Sequence, residues 1–171
     1  DAAVMFREDD VPNRLVAYLV RATTVESEPT LEEMRAHAAD RLADHAVPGR
    51  FVWLDAFPTT PSGKVNRAAL PAPGRVRPPL ARAYSAPLNL VEERLSRLWR
   101  EELQLDRIGR HDDFHLLGGD SLAGVRLAGA IEEEFGVGFR LAELLEQPTL
   151  AGMASRIALQ IEGDNRPAPS I

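Results

Sequence analysis

The sequence predicts an α+β small unit, built as a β-hairpin, a helix and a strand, followed by an all-α four-helix bundle. Three observations carry that expectation. Residues 1–54 alternate short β-branched and aromatic runs with one capped helical segment. Residues 87–163 place apolar side chains at three- and four-residue spacing throughout. Between the two, residues 71–86 gather Pro71, Pro73, Pro78 and Pro79 with Arg75, Arg77 and Arg82, and hold little to bury. Proline keeps such a segment extended and semi-rigid, so it reads as a linker. The expected divisions are 1–70, 71–86, 87–163 and a tail at 164–171.

In order along the chain, residues 3–7 and 14–22 read as strands, joined through the turn Asp9-Asp10-Val11-Pro12-Asn13. Thr30-Leu31-Glu32-Glu33 is a capping box that opens a helix expected to reach Ala46, before Pro48-Gly49. Phe51-Val52-Trp53-Leu54 is a third strand, and 59–64 is a turn-rich loop. After the linker, Asn89 and Glu92 cap a helix with the stripe Val91, Leu95, Leu98 and Trp99. A polar loop, 106–120, leads to a helix starting at about Ser121, with the stripe Val125, Ala128, Ile131 and Phe135. Residues 141–146 form a short helix ended by Pro148, and Thr149 caps a last one with Leu150, Met153 and Ile157. Four helices of this length make a small bundle.

Composition narrows the function classes. The 171 residues are 44% hydrophobic and 27% charged, ordinary for a globular protein. No apolar run approaches a membrane span, residues 1–25 show no signal-peptide pattern, and a cytoplasmic location is expected. With no cysteine there are no disulfides, thiol nucleophiles or thiolate metal sites. The four histidines, at 37, 45, 111 and 115, have no metal-ligand spacing, so no metal is expected. A net charge of −6 argues against nucleic acid as a partner, and the bundle's eight basic and fourteen acidic residues carry an equal excess. Nineteen of the twenty basic residues are arginine, leaving Lys64 as the only lysine. Where drift has favoured arginine, a surviving lysine marks a place that requires a compact ammonium, unless it survives by chance.

Gly119-Asp120-Ser121-Leu122 spells the signature of a serine hydrolase family. A serine nucleophile needs a base within hydrogen-bond reach, usually histidine. In that esterase family the histidine follows the serine near the carboxyl end; here none follows Ser121. Helix capping explains a serine at this place but not Gly118-Gly119 ahead of it. Paired glycines let the backbone turn sharply and leave the hydroxyl uncrowded at a helix start, where backbone amides favour an attached phosphate.

The longer string, Asp112-Asp113-Phe114-His115-Leu116-Leu117-Gly118-Gly119-Asp120-Ser121-Leu122, resembles the core motif of peptidyl carrier proteins from nonribosomal peptide synthetases. The similarity covers about residues 87–160, with Trp99, Phe114 and the Glu134-Phe135-Gly136 helix end. It implies that Ser121 receives 4′-phosphopantetheine from coenzyme A, with Gly118, Gly119, Asp120 and Leu122 forming the attachment motif. The arm's thiol would then carry an aminoacyl or peptidyl thioester. His115 stands where the family often has an acidic or other polar residue, a departure to which the resemblance gives no weight.

Gly63-Lys64 is a fragment of a phosphate-binding P-loop, but Val65 follows the lysine and Pro58 stands where that motif needs glycine. Phe57-Pro58-Thr59-Thr60-Pro61-Ser62-Gly63-Lys64-Val65-Asn66-Arg67 instead resembles the final conserved motif of the adenylation domains of the same synthetases. There the lysine contacts carboxylate and phosphate oxygens during amino-acid activation; Asn66 departs mildly from the usual aspartate. Leu70-Pro71-Ala72-Pro73 resembles the motif by which Leu70, Pro71 and Pro73 dock the linker onto that subdomain.

The resemblance implies further parts. ATP and magnesium would bind only with an N-terminal adenylation subdomain, and the chain is expected to be a piece beginning inside the small subdomain. Partners would be a phosphopantetheinyl transferase with coenzyme A, that subdomain, and neighbouring condensation, epimerisation, tailoring or thioesterase domains. The alternatives are a hydrolase using Ser121 and an acyl carrier of polyketide or fatty-acid type, which the upstream lysine motif disfavours.

Overall fold

The computed structural model describes residues 1–7, 14–22 and 29–164. The expected hairpin turn at 9–13 and the residues after Asp164 lie outside that range. The chain divides into two compact units, one from Asp1 to Ala81 and one from Arg82 onward.

The first unit is built on a three-stranded sheet in the order β1 (Ala2–Arg7), β2 (Arg14–Val20), β3 (Arg50–Leu54). β1 and β2 pair antiparallel, with Met5 opposite Val16; β2 and β3 pair parallel, with Tyr18 opposite Val52. Parallel neighbours need a crossover, and helix α1 (Leu31–Ala39) lies in it. Its start is the expected capping box: Thr30 Oγ1 accepts the Glu33 amide at 3.2 Å, and the Glu33 carboxylate accepts the Thr30 amide at 2.8 Å.

The helix ends at Ala39 rather than Ala46. The Arg41 amide tightens onto the Ala38 carbonyl at 3.1 Å, and only a 3₁₀ turn, Asp44–Ala46, follows. Leu42, the apolar residue that would extend the buried face, is 44% exposed, so further turns would gain no burial.

Val16, Tyr18 and Leu70 form this unit's core, with Met5, Val52, Leu54 and Phe57 packed on it. The span 71–86 is divided between the units. The Pro71 carbonyl accepts the Tyr18 hydroxyl at 2.7 Å and Arg7 Nη1 at 3.1 Å, and the Ala81 amide donates to the Glu32 carboxylate at 3.2 Å. Ser85, in the second unit, accepts the Arg110 amide at 2.9 Å.

The second unit comprises four helices among the described residues: α2 (Leu90–Leu103), α3 (Ser121–Phe135), α4 (Leu141–Glu146) and α5 (Leu150–Asp164). Asn89 caps α2, its Oδ1 accepting the Glu92 amide at 2.9 Å, and Leu95, Trp99 and Leu103 are buried along it. Leu150, Met153 and Ile157 are buried on α5 as the spacing predicts.

The α3 stripe is corrected. Ile131 is buried, but Val125 is 55% exposed, and the inward face is Ala123, Gly124 and Leu127. A Cβ on Gly124 would lie 2.7 Å from the Leu141 methyl, so α4 packs where that side chain is missing. Loop 106–120, expected to be polar, is anchored by buried Ile108, Phe114 and Leu117.

One ion pair ties that loop to α2. Glu92 is buried, accepts the Leu88 amide at 2.8 Å, and pairs with Arg110 at 3.0 Å. The Arg110 guanidinium holds the Glu92 carboxyl below the usual glutamate range, against the opposing effect of burial. The unfolded chain protonates near the ordinary value of about 4.3, while folded Glu92 keeps its charge to lower pH. Its contribution is therefore full above that value and is lost as pH falls through the folded value. Chemical denaturation at about pH 7 and about pH 3 should show a loss of stability that shrinks in Glu92→Gln. Equal losses would mean that Arg110 does not hold this carboxylate.

Candidate functional site

Two sets of residues stand out, one on each unit. On the second unit, the approach to Ser121 is built from the backbone outward. The Asp113 carboxylate accepts the amides of His115 at 2.8 Å and Leu116 at 3.0 Å, which starts a tight turn. The Phe114 amide donates to the Pro148 carbonyl at 2.8 Å, fastening the loop beside the start of α5.

The Phe114 ring is buried, edge-on to Trp99 with centroids 5.1 Å apart. It leaves no room for a side chain at position 119, where a Cβ would lie 2.2 Å from the ring. Gly118 turns the chain at φ 97°, a conformation that favours glycine. The paired glycines thus have separate reasons.

Asp120, not Ser121, is the helix cap, its Oδ1 accepting the Ala123 amide at 2.7 Å. Ser121 is the first residue of α3 and is exposed. Capping is therefore not the serine's task. Its hydroxyl stands at a helix start, where partial positive charge suits a phosphoester. Leu122 beside it is 61% exposed.

A serine hydrolase would need a base on that hydroxyl. His115, the histidine closest in sequence, instead has Nδ1 on the Gly119 carbonyl oxygen at 3.0 Å. Among the described residues there is no group of metal-ligating side chains, and no helix is long and apolar enough to cross a membrane.

On the first unit, Lys64 is exposed on a preformed hairpin. Thr59 and Val65 bridge antiparallel, and the Thr60 amide donates to the Lys64 carbonyl at 2.8 Å. Thr60 Oγ1 accepts the Lys64 amide at 3.3 Å and meets Ser62 Oγ at 2.9 Å. Leu70 is buried in the sheet's core cluster, the Leu70 and Pro71 carbonyls both accept from Arg7, and Pro73 is buried.

Sequence reasoning missed Thr60 and His115. Each acts by a side-chain bond to backbone four residues away, visible only once the loop path is known.

Comparison with known proteins follows the same division. A family model described as the AMP-binding enzyme C-terminal domain matches residues 1–64, and one described as the phosphopantetheine attachment site matches 93–157. Malpibaldin synthetase of Mortierella alpina is 38% identical over 157 residues, covering 92% of this chain and 3% of its own length. The dimodular nonribosomal peptide synthase of Bacillus subtilis (strain 168) is 42% identical over 162 residues, covering 93% and 6%. The chain spans only a small part of these relatives. A solved structure of a holo synthetase protein containing adenylation and PCP domains, bound to a vinylsulfonamide inhibitor, shares the fold. Its TM-score is 0.56 at 24% identity, over 94% of this chain and 24% of that one.

Proposed function

The chain belongs to the nonribosomal peptide synthetases, as an AMP-binding enzyme C-terminal domain joined to a phosphopantetheine attachment domain; on that premise we propose that Ser121 carries the arm on which aminoacyl or peptidyl groups travel as thioesters. The observation that supports this most is the exposed Ser121 hydroxyl, freed from capping by Asp120 and set at the head of α3. When bound, phosphopantetheine supplies a flexible arm ending in a thiol that holds the acyl group. For attachment, Ser121 Oγ forms a phosphoester bond as the pyrophosphate bond of coenzyme A breaks. Adenosine bisphosphate leaves, and the hydroxyl proton passes to a base of the transferase. Exposed Leu122 and Val125 offer that transferase, and neighbouring condensation, epimerisation, tailoring or thioesterase domains, apolar contact beside the serine.

Lys64 serves amino-acid activation when an N-terminal adenylation subdomain supplies ATP and magnesium. Leu70, Pro71 and Pro73 hold the following segment on the sheet. The hydrolase reading is disfavoured because His115 is engaged with the Gly119 carbonyl and not with Ser121, and the AMP-binding C-terminal domain upstream disfavours a polyketide or fatty-acid carrier. The testing experiment is intact mass before and after coenzyme A and a phosphopantetheinyl transferase. A gain of one phosphopantetheine supports the reading; no gain where a control carrier loads sinks it.

The two units are also proposed to be separable. Residues 82–86 are exposed, while the carbonyls and amides at 70, 71 and 81 are tied to the first unit. Limited tryptic digestion should cut early after Arg82 and release a folded helical fragment. Protection of that bond, with one cooperative unfolding step for the whole chain, would count against separable units.

A further inference from the structure

We propose that His115 is a positioning residue for the modification of Ser121, holding the glycine turn in the form that presents the serine. The proposal rests on the reading of Ser121 as the attachment site. Two glycines in succession have more backbone freedom to lose than any other pair, so the turn needs restraints.

The structure supplies them on both sides of the peptide. The Gly118 amide donates to the His115 carbonyl at 2.9 Å and the Gly119 amide to the Phe114 carbonyl at 2.8 Å. The Gly119 carbonyl, on a buried residue one position before the cap, receives the His115 ring at 3.0 Å. A carbonyl oxygen only accepts, so Nδ1 must carry the proton. Nε2 is buried and meets no hydrogen-bond partner among the described residues. The ring is therefore committed to one bond, and that bond fixes the peptide from which Asp120 and Ser121 depart. A carboxylate at position 115 could not make it, because it has no hydrogen to donate.

The bland alternative is packing, since the His115 ring also lies edge-on to Phe114 with centroids 5.8 Å apart. Two variants separate the roles. His115→Phe keeps an aromatic ring against Phe114 and loses the donor. His115→Asn loses the ring but keeps a short donor that can reach the same carbonyl.

With coenzyme A and a phosphopantetheinyl transferase, the chain itself being the varied substrate, His115→Phe should lose about tenfold in kcat/KM. The loss should appear mainly as a higher KM, and His115→Asn should recover most of it. The reverse order, with His115→Phe near wild type, overturns the proposal. Nitrogen-15 correlation spectra of the wild-type chain at mildly alkaline pH give a second reading that needs no variant. They should show the proton on Nδ1 of His115 and a pyridine-type Nε2. A proton on Nε2 would overturn the proposal even if both variants were poorly folded. Should the wild type fail to accept phosphopantetheine at Ser121 while the Nδ1 proton is found, the attachment reading has failed and the clamp remains.

Discussion

Ser121→Ala should accept no phosphopantetheine under conditions that convert the wild-type chain completely. The effect is total because the variant lacks the only atom on that side chain able to form the phosphoester. It should also be free of confounding loss of structure. Ser121 is exposed at the first position of α3, and the capping bond belongs to Asp120, whose carboxylate accepts the Ala123 amide at 2.7 Å. Alanine is the best helix former, so the helix should be no weaker. Asp120→Ala makes the contrast: it keeps the hydroxyl but loses a cap, a cost of about 1 kcal/mol, and should still be modified. Intact mass with peptide mapping reads all three chains. Modification of Ser121→Ala, or of any residue other than Ser121 in the wild type, would refute the assignment.

How far such a site can be read from sequence depends on whether its chemistry is linear in the chain. The run from Asp112 to Leu122 is contiguous, and its turn and helix start follow from local preference, so the sequence alone marks Ser121 as the attachment candidate. The three strands and the Thr30 capping box are legible for the same reason. What fails are properties decided by distant neighbours. The helix after Thr30 reads as long because Arg41, Leu42 and Ala43 are good helix formers, yet Leu42 stays 44% exposed. On α3 a hydrophobicity pattern prefers Val125 to Gly124, whereas the packing against Leu141 prefers the residue with no side chain. His115 escapes notice because nothing in a linear motif shows that its ring reaches forward to Gly119. Thr60 escapes likewise, its hydroxyl bonding Lys64 across a turn.

Lys64→Arg should abolish most amino-acid activation in a protein that includes the N-terminal adenylation subdomain, while leaving phosphopantetheine loading at Ser121 intact. The 171 residues alone should support no amino-acid-dependent exchange of pyrophosphate into ATP, so the comparison uses a protein that includes that subdomain. The hairpin explains why the substitution is informative. Thr60 bonds the Lys64 amide and carbonyl, at 3.3 and 2.8 Å, so the backbone at position 64 is fixed before any substrate arrives. What the loop offers is then the side chain's own reach and shape. Lysine ends in a compact ammonium that can sit between a carboxylate and a phosphate oxygen; the guanidinium is wider, planar and directional. Net charge is unchanged, which removes long-range attraction as an explanation. Each lost charge-assisted contact in such a site is worth roughly 3–4 kcal/mol, or about two to three powers of ten in rate. Pyrophosphate exchange measures the first job and intact mass the second, and Ser121→Ala should show the mirror image, activating amino acid normally and carrying none. If Lys64→Arg activates amino acid at close to the wild-type rate, the lone lysine is an accident of composition, and the hairpin has no part in adenylate formation.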